Sequence, residues 1–214
     1  MKDYAIVIPT ILPERQKELG MLLTQIAELC PGVPIVISPH IKDEPAKNDC
    51  ARALQLGASF GCEWTIYLED DAFLAPVFAQ EVERVLKESI QKEFLLVTFY
   101  SDSRRVLNAM KQGKRSCLIP PRWFWSTVCV AVRTEEIPAI IVFAPGWYER
   151  HPEHWHASDL LLGAFCSSRK GKILACVPSP VQHKDSSSSL GHKVVRKRFS
   201  RTFKAAYRSI PKDA

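Results

Sequence analysis

The chain has 214 residues, of which 46% are hydrophobic and 24% are charged, and these ordinary values exclude a protein that is disordered throughout. Its net charge of +6 is unevenly distributed: residues 1–183 hold 20 basic and 21 acidic side chains, whereas residues 184–214 hold 9 and 2. A uniformly basic, DNA-coating protein is therefore excluded, but a basic C-terminal arm on a near-neutral body is not.

Hydrophobic periodicity predicts alternating strands and helices along the N-terminal half of the chain. The predicted strands cover residues 5–9, 33–38, 64–68 and 94–99. The predicted helices cover residues 14–30, 48–56 and 78–91, and Pro31-Gly32 ends the first of them. This alternation predicts an α/β domain with a central, mostly parallel sheet flanked by helices.

The C-terminal half has a less regular pattern. Residues 126–132 and 137–143 are apolar and are expected to be ordered, residues 158–166 have helical periodicity, and residues 172–177 form a last predicted strand. We therefore expect one Rossmann-like domain over residues 1–192 and a basic tail or helix over residues 193–214.

Two compositional features bear on the compartment. No run of about 18 apolar residues is present, so no membrane span is expected. The seven cysteines show no metal or redox spacing and several lie in apolar runs, which indicates buried, reduced thiols and predicts a cytoplasmic protein.

Three adjacent acids, Glu69, Asp70 and Asp71, follow the predicted strand at residues 64–68. Ligands of open α/β sheets bind outside the carboxyl ends of the strands, and clustered carboxylates there require a compensating charge. A divalent cation such as Mg²⁺ or Mn²⁺ provides that charge and can stabilise a diphosphate leaving group. The alternative interpretation is a solvated acidic turn.

The segment containing these acids resembles the metal motif of GT-A glycosyltransferases. The resemblance implies that Asp71 is a metal ligand and that Asp70 or Glu69 contacts the ribose or supports the metal. The segment Ile8-Pro9-Thr10 resembles the turn that meets the nucleotide base, so Pro9 and Thr10 are expected to bind the donor. Residues 48–53 resemble the helix that precedes the metal strand, which adds Asn48 and Arg52 to the donor site.

Two segments of the C-terminal half extend the resemblance. Asp159 opens an apolar helix where the base of inverting members lies, and a partly buried carboxylate suits that role; the alternative is a helix cap with Ser158. The segment at residues 180–185 resembles the stretch in which a histidine completes the metal site, so His183 is expected to be a ligand rather than a hydrogen-bonding loop residue. Lys184 and residues 186–189 are expected near the diphosphate.

The resemblance spans about residues 5–192 in short segments and is closest to family 25-like and family 2-like transferases. It implies transfer of a sugar from a nucleotide-diphosphate sugar, UDP-sugar being the expected donor, to an acceptor hydroxyl. Two acceptors are considered: a hydroxymethylated pyrimidine in DNA, as in phage enzymes that would act in the host cytoplasm, and a surface glycan such as lipopolysaccharide. A non-catalytic nucleic-acid-binding protein with a degenerate transferase fold and a metal-dependent nucleotidyltransferase or phosphoesterase remain alternatives.

Two further segments concern the acceptor. Arg122, Trp123 and Trp125 form an aromatic and basic stretch that predicts a stacking platform for a sugar or a base, with ordinary packing as the alternative. Between residues 193 and 208, basic residues alternate with Val, Phe, Ala and Tyr, and a helix there would place residues 195, 199, 203 and 206 on one face. Such a helix could dock on the body, bind nucleic acid or lie on a membrane surface.

Overall fold

The computed structural model describes residues 3–41, 47–90, 93–154, 157–183 and 200–206. The strands within these residues are β1 (Tyr4–Thr10), β2 (Ile35–Pro39), β3 (Trp64–Leu68), β4 (Ala72–Leu74), β5 (Phe94–Thr98), β6 (Ser116–Ile119), β7 (Cys129–Arg133), β8 (Lys172–Cys176) and β9 (Val181–His183). The helices are α1 (Gln16–Leu29), α2 (Lys47–Ala58), α3 (Phe78–Glu88), α4 (Arg104–Lys111), α5 (Ile137–Arg150), α6 (Ser158–Ser168) and α7 (Arg201–Ala206).

Among the described residues, seven strands form one central sheet in the order β2-β1-β3-β7-β5-β8-β6. Strands β1, β2, β3, β5 and β8 run in one direction, and β7 and the edge strand β6 oppose them. A separate two-stranded antiparallel ribbon, β4 with β9, lies beyond the end of β3. The predicted class, an α/β domain with a central, mostly parallel sheet flanked by helices, is confirmed.

Hydrophobic side chains cover both faces of the sheet and make a three-layer domain. Helices α1 and α3 pack their apolar stripes on one face, and α2, α4, α5 and α6 pack on the other. Strand β3 contributes to both layers, because Ile66 and Leu68 face the first and Tyr67 faces the second. A strand that is covered on both faces has to be apolar throughout, as residues 64–68 are.

The predicted elements of the N-terminal half are present with shifts of a few residues at their ends. The predicted stop after the first helix is observed, since Gly32 adopts a φ of 77°, a left-handed conformation that favours glycine. The third helix was predicted too long: it ends at Glu88, and Ile90, which periodicity placed on the apolar face, is 71% exposed. Strands β4, β6 and β9 and helix α4 were not predicted.

The basic tail is described only over residues 200–206. Helix α7 packs against α4, and the ring of Phe203 meets the ring of Phe73 edge-to-face at 6.1 Å. The Ser200 amide donates to Oε1 of Gln182 at 2.9 Å, and the hydroxyl of Thr202 hydrogen-bonds to Ser179. This part of the tail is therefore docked on the body; residues 195 and 199 of the predicted apolar face lie outside the described residues.

Candidate active site

The three acids lie in a tight turn between β3 and β4. The Glu69 amide donates to the carbonyl of Val128 at 3.0 Å, which continues the β3–β7 pairing by one residue, and the Ala72 amide then donates back to the carbonyl of Glu69 at 3.1 Å. Strand β4 begins at Ala72 and pairs with β9, where Ala72 is opposite His183. The turn and the ribbon together bring the acids and the histidine to the carboxyl end of β3.

Glu69, Asp71 and His183 form a group of possible metal ligands at this end of the sheet. One ligand atom from each lies within 4.8 Å of the others, and Nε2 of His183 is 3.5 Å from Oδ2 of Asp71 and 4.0 Å from Oε2 of Glu69. Two carboxylates and an imidazole suit Mn²⁺ well and Mg²⁺ less well, because Mg²⁺ prefers oxygen ligands. The structure thus places Asp71 next to His183, as expected, and adds Glu69 to this group.

Two of the three acids accept a hydrogen bond from a threonine hydroxyl. Thr127, just before β7, donates its hydroxyl to Oε1 of Glu69 at 2.9 Å, and Thr10, at the end of β1, donates its hydroxyl to Oδ2 of Asp70 at 2.6 Å. Burial raises the pKa of Asp70, and the Thr10 hydrogen bond opposes this rise. The carboxylate of Asp70 therefore contacts the end of β1.

Arg15 was not predicted from the sequence, yet it lies at the same site. It directly precedes α1, it is 7% exposed, and its Nη1 is 3.6 Å from Oδ2 of Asp71. The attraction between a buried guanidinium and a buried carboxylate offsets part of the cost of removing both charges from water. The sequence signal was a charged residue a few positions after the carboxyl end of the first strand.

A second polar cluster lies beside Thr10, at the carboxyl end of β2. The ring Nδ1 of His40 is 2.7 Å from Oδ2 of Asp49, and Nη2 of Arg52 donates to Oδ1 of Asp49 at 2.8 Å and to the carbonyl of Pro39 at 2.7 Å. Pro9 and Thr10 pair with Ser38 and Pro39 across β1 and β2. The structure brings three expected donor residues, Pro9, Thr10 and Arg52, to one edge; the side chain of Asn48 lies outside what is described.

The sequence predicted that His40 is an ordinary loop residue, but in the structure it contacts both Asp49 and Thr10. The His40 amide also donates to the carbonyl of Thr10 at 2.7 Å. Asp49, which no prediction singled out, connects His40 with Arg52. The site of β1, β2 and α2 is consequently more polar than the sequence motif alone indicated.

Asp159 lies half-buried in the first turn of α6, where its Oδ1 accepts a hydrogen bond from the Leu160 amide at 2.9 Å. The N-cap residue is Ala157, which makes no side-chain cap, but the bond from the Leu160 amide is of the kind that the alternative of a helix cap expects. Burial raises the pKa of the nearby Cys50 thiol to about 12, and the charges of Asp159, Asp49 and Glu69 add to the rise. These three acids therefore lie close enough to the buried thiol to affect its pKa, and the role of Asp159 as a base stays a prediction.

The aromatic and basic stretch is an exposed surface that follows the edge strand β6. Pro121–Trp123 forms a single 3-10 turn, and the guanidinium carbons of Arg105 and Arg122 lie 4.9 and 5.2 Å from the ring centroid of Trp123. Trp123 and Trp125 are 47% and 62% exposed, whereas Phe124 between them is buried. Since Trp125 is two residues before Thr127, this surface begins close to the acids.

The same surface carries a local excess of positive charge. Residues 103–125 contain six basic side chains and no acidic one, and all six are exposed. Within the described part of the chain, only Arg115 of the six is in an ion pair, with Glu81.

Lys184 and residues 186–189, which were expected near the diphosphate, lie outside the described residues.

No helix among the described residues is both long enough and apolar enough to cross a membrane.

No protein-family model matches the chain, and no curated protein sequence matches it. Solved structures do resemble it. A197 from STIV is 12% identical, with 85% of each chain covered and a TM-score of 0.50.

Two further solved structures are of sugar-transferring or sugar-conjugating enzymes. A glycosyltransferase involved in the glycosylation of the major capsid of PBCV-1 is 12% identical over 66% of each chain, with a TM-score of 0.41. Glucosyl-3-phosphoglycerate synthase from Mycobacterium tuberculosis, solved with Mn²⁺ and UDP, is 10% identical over 86% of this chain and 73% of that one, with a TM-score of 0.40. The α/β fold class with a central, mostly parallel sheet is confirmed, and at these identities the likeness concerns the fold alone.

Proposed function

We propose that the protein is a metal-dependent glycosyltransferase that transfers a sugar from a nucleoside-diphosphate sugar to an acceptor hydroxyl. The single observation that carries this proposal is the group of Glu69, Asp71 and His183 at the carboxyl end of β3. In open α/β sheets this is the edge at which ligands bind. The donor set of two carboxylates and one imidazole fits a divalent cation, with Mn²⁺ favoured over Mg²⁺.

Glu69, Asp71 and His183 would hold the cation, which supplies charge neutralisation to the diphosphate as it leaves. Thr127 fixes the carboxylate of Glu69, and the β4–β9 ribbon fixes His183. Partners of this kind orient ligands before the metal arrives. The protein thereby provides a prepared site on rigid strands rather than on a long loop.

The nucleoside part of the donor is assigned to the edge formed by β1, β2 and α2. The residues assigned to the donor from the sequence belong to this edge: Pro9, Thr10, Asn48 and Arg52. Asp70 accepts a hydrogen bond from Thr10 there. A carboxylate at this position suits the ribose hydroxyls, which can donate to it. Lys184 is assigned to the diphosphate, and uracil is the proposed base.

Asp159 is the proposed general base of an inverting reaction. The acceptor oxygen would form a bond to the anomeric carbon while the bond from that carbon to the diphosphate breaks. The hydroxyl proton would pass to the carboxylate of Asp159, and the nucleoside diphosphate would leave with the electron pair. The half-buried position of Asp159 at the start of α6 supports this role, because a carboxylate there can accept the proton of an acceptor hydroxyl.

The acceptor is proposed to be anionic and to bind across Arg122, Trp123 and Trp125. Support comes from the acid-free basic stretch of residues 103–125 and from two exposed indoles near the acids. A hydroxymethylated pyrimidine in DNA fits both features, since phosphates pair with guanidinium groups and bases stack on indoles. A surface glycan is the alternative acceptor, and its sugars could also stack on the two indoles.

A thermal-shift screen of nucleotide sugars with and without Mn²⁺ tests the donor half of the proposal. We expect one nucleotide sugar, a UDP-sugar first, to stabilise the protein only when the metal is present. Absence of any metal-linked shift across the uridine, guanosine, cytidine and adenosine sugars would contradict it and favour a degenerate fold. Product analysis separates the alternatives, because only a glycosyltransferase releases a nucleoside diphosphate.

Transfer to duplex DNA containing hydroxymethylated pyrimidine tests the acceptor half. The double variant Arg105→Gln, Arg122→Gln is expected to weaken DNA binding about tenfold. The slope of log affinity against log salt concentration should fall by about two. The matched control is Lys17→Gln, Lys87→Gln, which removes the same charge from exposed positions on α1 and α3, on the other face of the sheet. Equal losses in both variants would contradict a localised acceptor surface.

A further inference from the structure

Arg15 places a positive charge where the proposed cation would bind. Its guanidinium and the Asp71 carboxylate are both buried, and Nη1 lies 3.6 Å from Oδ2. A cation that binds Asp71 would therefore enter the electric field of a nearby guanidinium.

The side chain of Arg15 is not needed to start helix α1. The Arg15 amide donates to the carbonyl of Ile11, and its own carbonyl accepts from the Leu19 amide, so the helix start is made by the backbone. No side-chain hydrogen bond caps the helix at this position. The buried guanidinium thus has a position that local helix geometry does not explain.

Two like charges at one carboxylate repel each other, and burial strengthens the repulsion because solvent screens it less. A diphosphate reverses this balance, since its oxygens can accept hydrogen bonds from the guanidinium and can ligate the metal. The site holds Glu69, Asp70 and Asp71 as well, so a diphosphate without metal would meet three carboxylates. Among the described residues, Arg15 contacts Asp71 directly, and its positive charge can oppose this repulsion.

We propose that Arg15 makes cation binding and diphosphate binding depend on each other. Without donor, the guanidinium neutralises Asp71 and competes with the cation. With donor, it turns to the diphosphate oxygens and leaves Asp71 to the metal. This inference rests on the proposed glycosyltransferase function and adds that the free site takes up metal weakly until a nucleoside diphosphate arrives.

Calorimetric titrations of the variant Arg15→Gln with Mn²⁺ alone, with UDP alone and with both test the inference. Removal of the positive charge should raise the affinity for Mn²⁺ alone about tenfold and lower the affinity for UDP alone about tenfold. The factor by which each ligand strengthens the other should fall toward one. If Arg15 only stabilised the fold, its replacement would lower both affinities. Opposite changes in the two affinities are therefore the decisive result.

Three further variants complete the test. Arg15→Met removes the charge and keeps an unbranched apolar stem, and it replaces Arg15→Gln in the test if circular dichroism shows that the glutamine variant does not fold. Arg15→Lys keeps the charge and should keep most of the coupling. Lys17→Gln removes one positive charge from an exposed position two residues away and should leave all three titrations unchanged.

The inference is overturned if the uncharged Arg15 variants lose affinity for Mn²⁺, or if Arg15→Lys behaves like Arg15→Gln. Failure of the proposed function would give a different result. If the unaltered protein binds neither Mn²⁺ nor any of UDP, GDP, CDP and ADP, the proposed function itself is wrong. If it binds both ligands and the uncharged variants keep the same coupling, only the role of Arg15 is wrong.

Discussion

Ala72 is the antiparallel partner of His183 in the β4–β9 ribbon, although the two residues are far apart in the chain. This pairing sets the imidazole of His183 3.5 Å from the carboxylate of Asp71, the residue next to Ala72. A main-chain ladder therefore positions the histidine, and the candidate site does not depend on the conformation of a long loop.

Replacement of Thr127 with valine should weaken Mn²⁺ binding about tenfold, because Glu69 loses the hydroxyl that donates to its Oε1. Thr127→Ser keeps the hydroxyl and should bind Mn²⁺ as the unaltered protein does. Titration of both variants with Mn²⁺ in the presence of UDP checks this. A valine variant with unchanged affinity would show that Thr127 does not position a ligand.

Replacement of Gly163 with alanine should destabilise the protein by about 1–3 kcal/mol. The added methyl group would lie 2.7 Å from the carbonyl oxygen of Pro121, so α6 and the 3-10 turn that carries Trp123 would have to separate. Gly20→Ala is the control, because nothing lies within 4 Å of the added carbon, and alanine in a helix should stabilise by about 0.5–1 kcal/mol. Urea denaturation measures both changes, and a Gly163→Ala variant as stable as the parent would contradict the packing argument.

Replacement of Glu81 with glutamine should cost about 2 kcal/mol of stability at neutral pH, because Glu81 is 8% exposed and pairs with Arg84 and Arg115. Burial alone would raise the pKa of Glu81, but the hydrogen bonds and charges of the two arginines outweigh it and lower the pKa below its usual range.

A carboxyl group whose pKa is lowered by folding stabilises the protein above its unfolded pKa, and this contribution disappears as the pH falls through the folded value. Stability of the unaltered protein should therefore decline more steeply in acid than that of Glu81→Gln. Thermal unfolding followed from neutral pH into the acid range checks this. Parallel pH curves for the two proteins would argue against a lowered pKa.

The regular part of the fold could be predicted because its signals are local. The apolar run of residues 64–68 and the helical stripe of residues 14–30 show their periodicity within single segments, and both elements are present. The short strands β4 and β9 have three residues each, which is too few for an alternating pattern. Helix α4 was missed because its polar sequence buries only Val106 and Ala109.

The candidate site could be predicted only in part for a different reason. The adjacency of Asp71 and His183 was expected from the resemblance to GT-A glycosyltransferases, and the structure brings these residues together. Arg15 and Thr127 were missed because each contacts an acid more than fifty positions away, and no single-segment pattern reports such a contact. The assignments of Asp159, Lys184 and the tail beyond residue 206 stay predictions.

The central claim is that Asp71 holds a cation that the transfer of a sugar requires. The most direct measurement is turnover of the nucleotide sugar found in the thermal-shift screen, with and without Mn²⁺, by the unaltered protein and by Asp71→Asn. Asp3→Asn, an exposed acid at the opposite end of β1, is the matched control. We expect metal-dependent release of nucleoside diphosphate by the unaltered protein and the control, and a loss of at least about a hundredfold in Asp71→Asn. Full activity of Asp71→Asn, or turnover that a chelator leaves unchanged, would contradict the account.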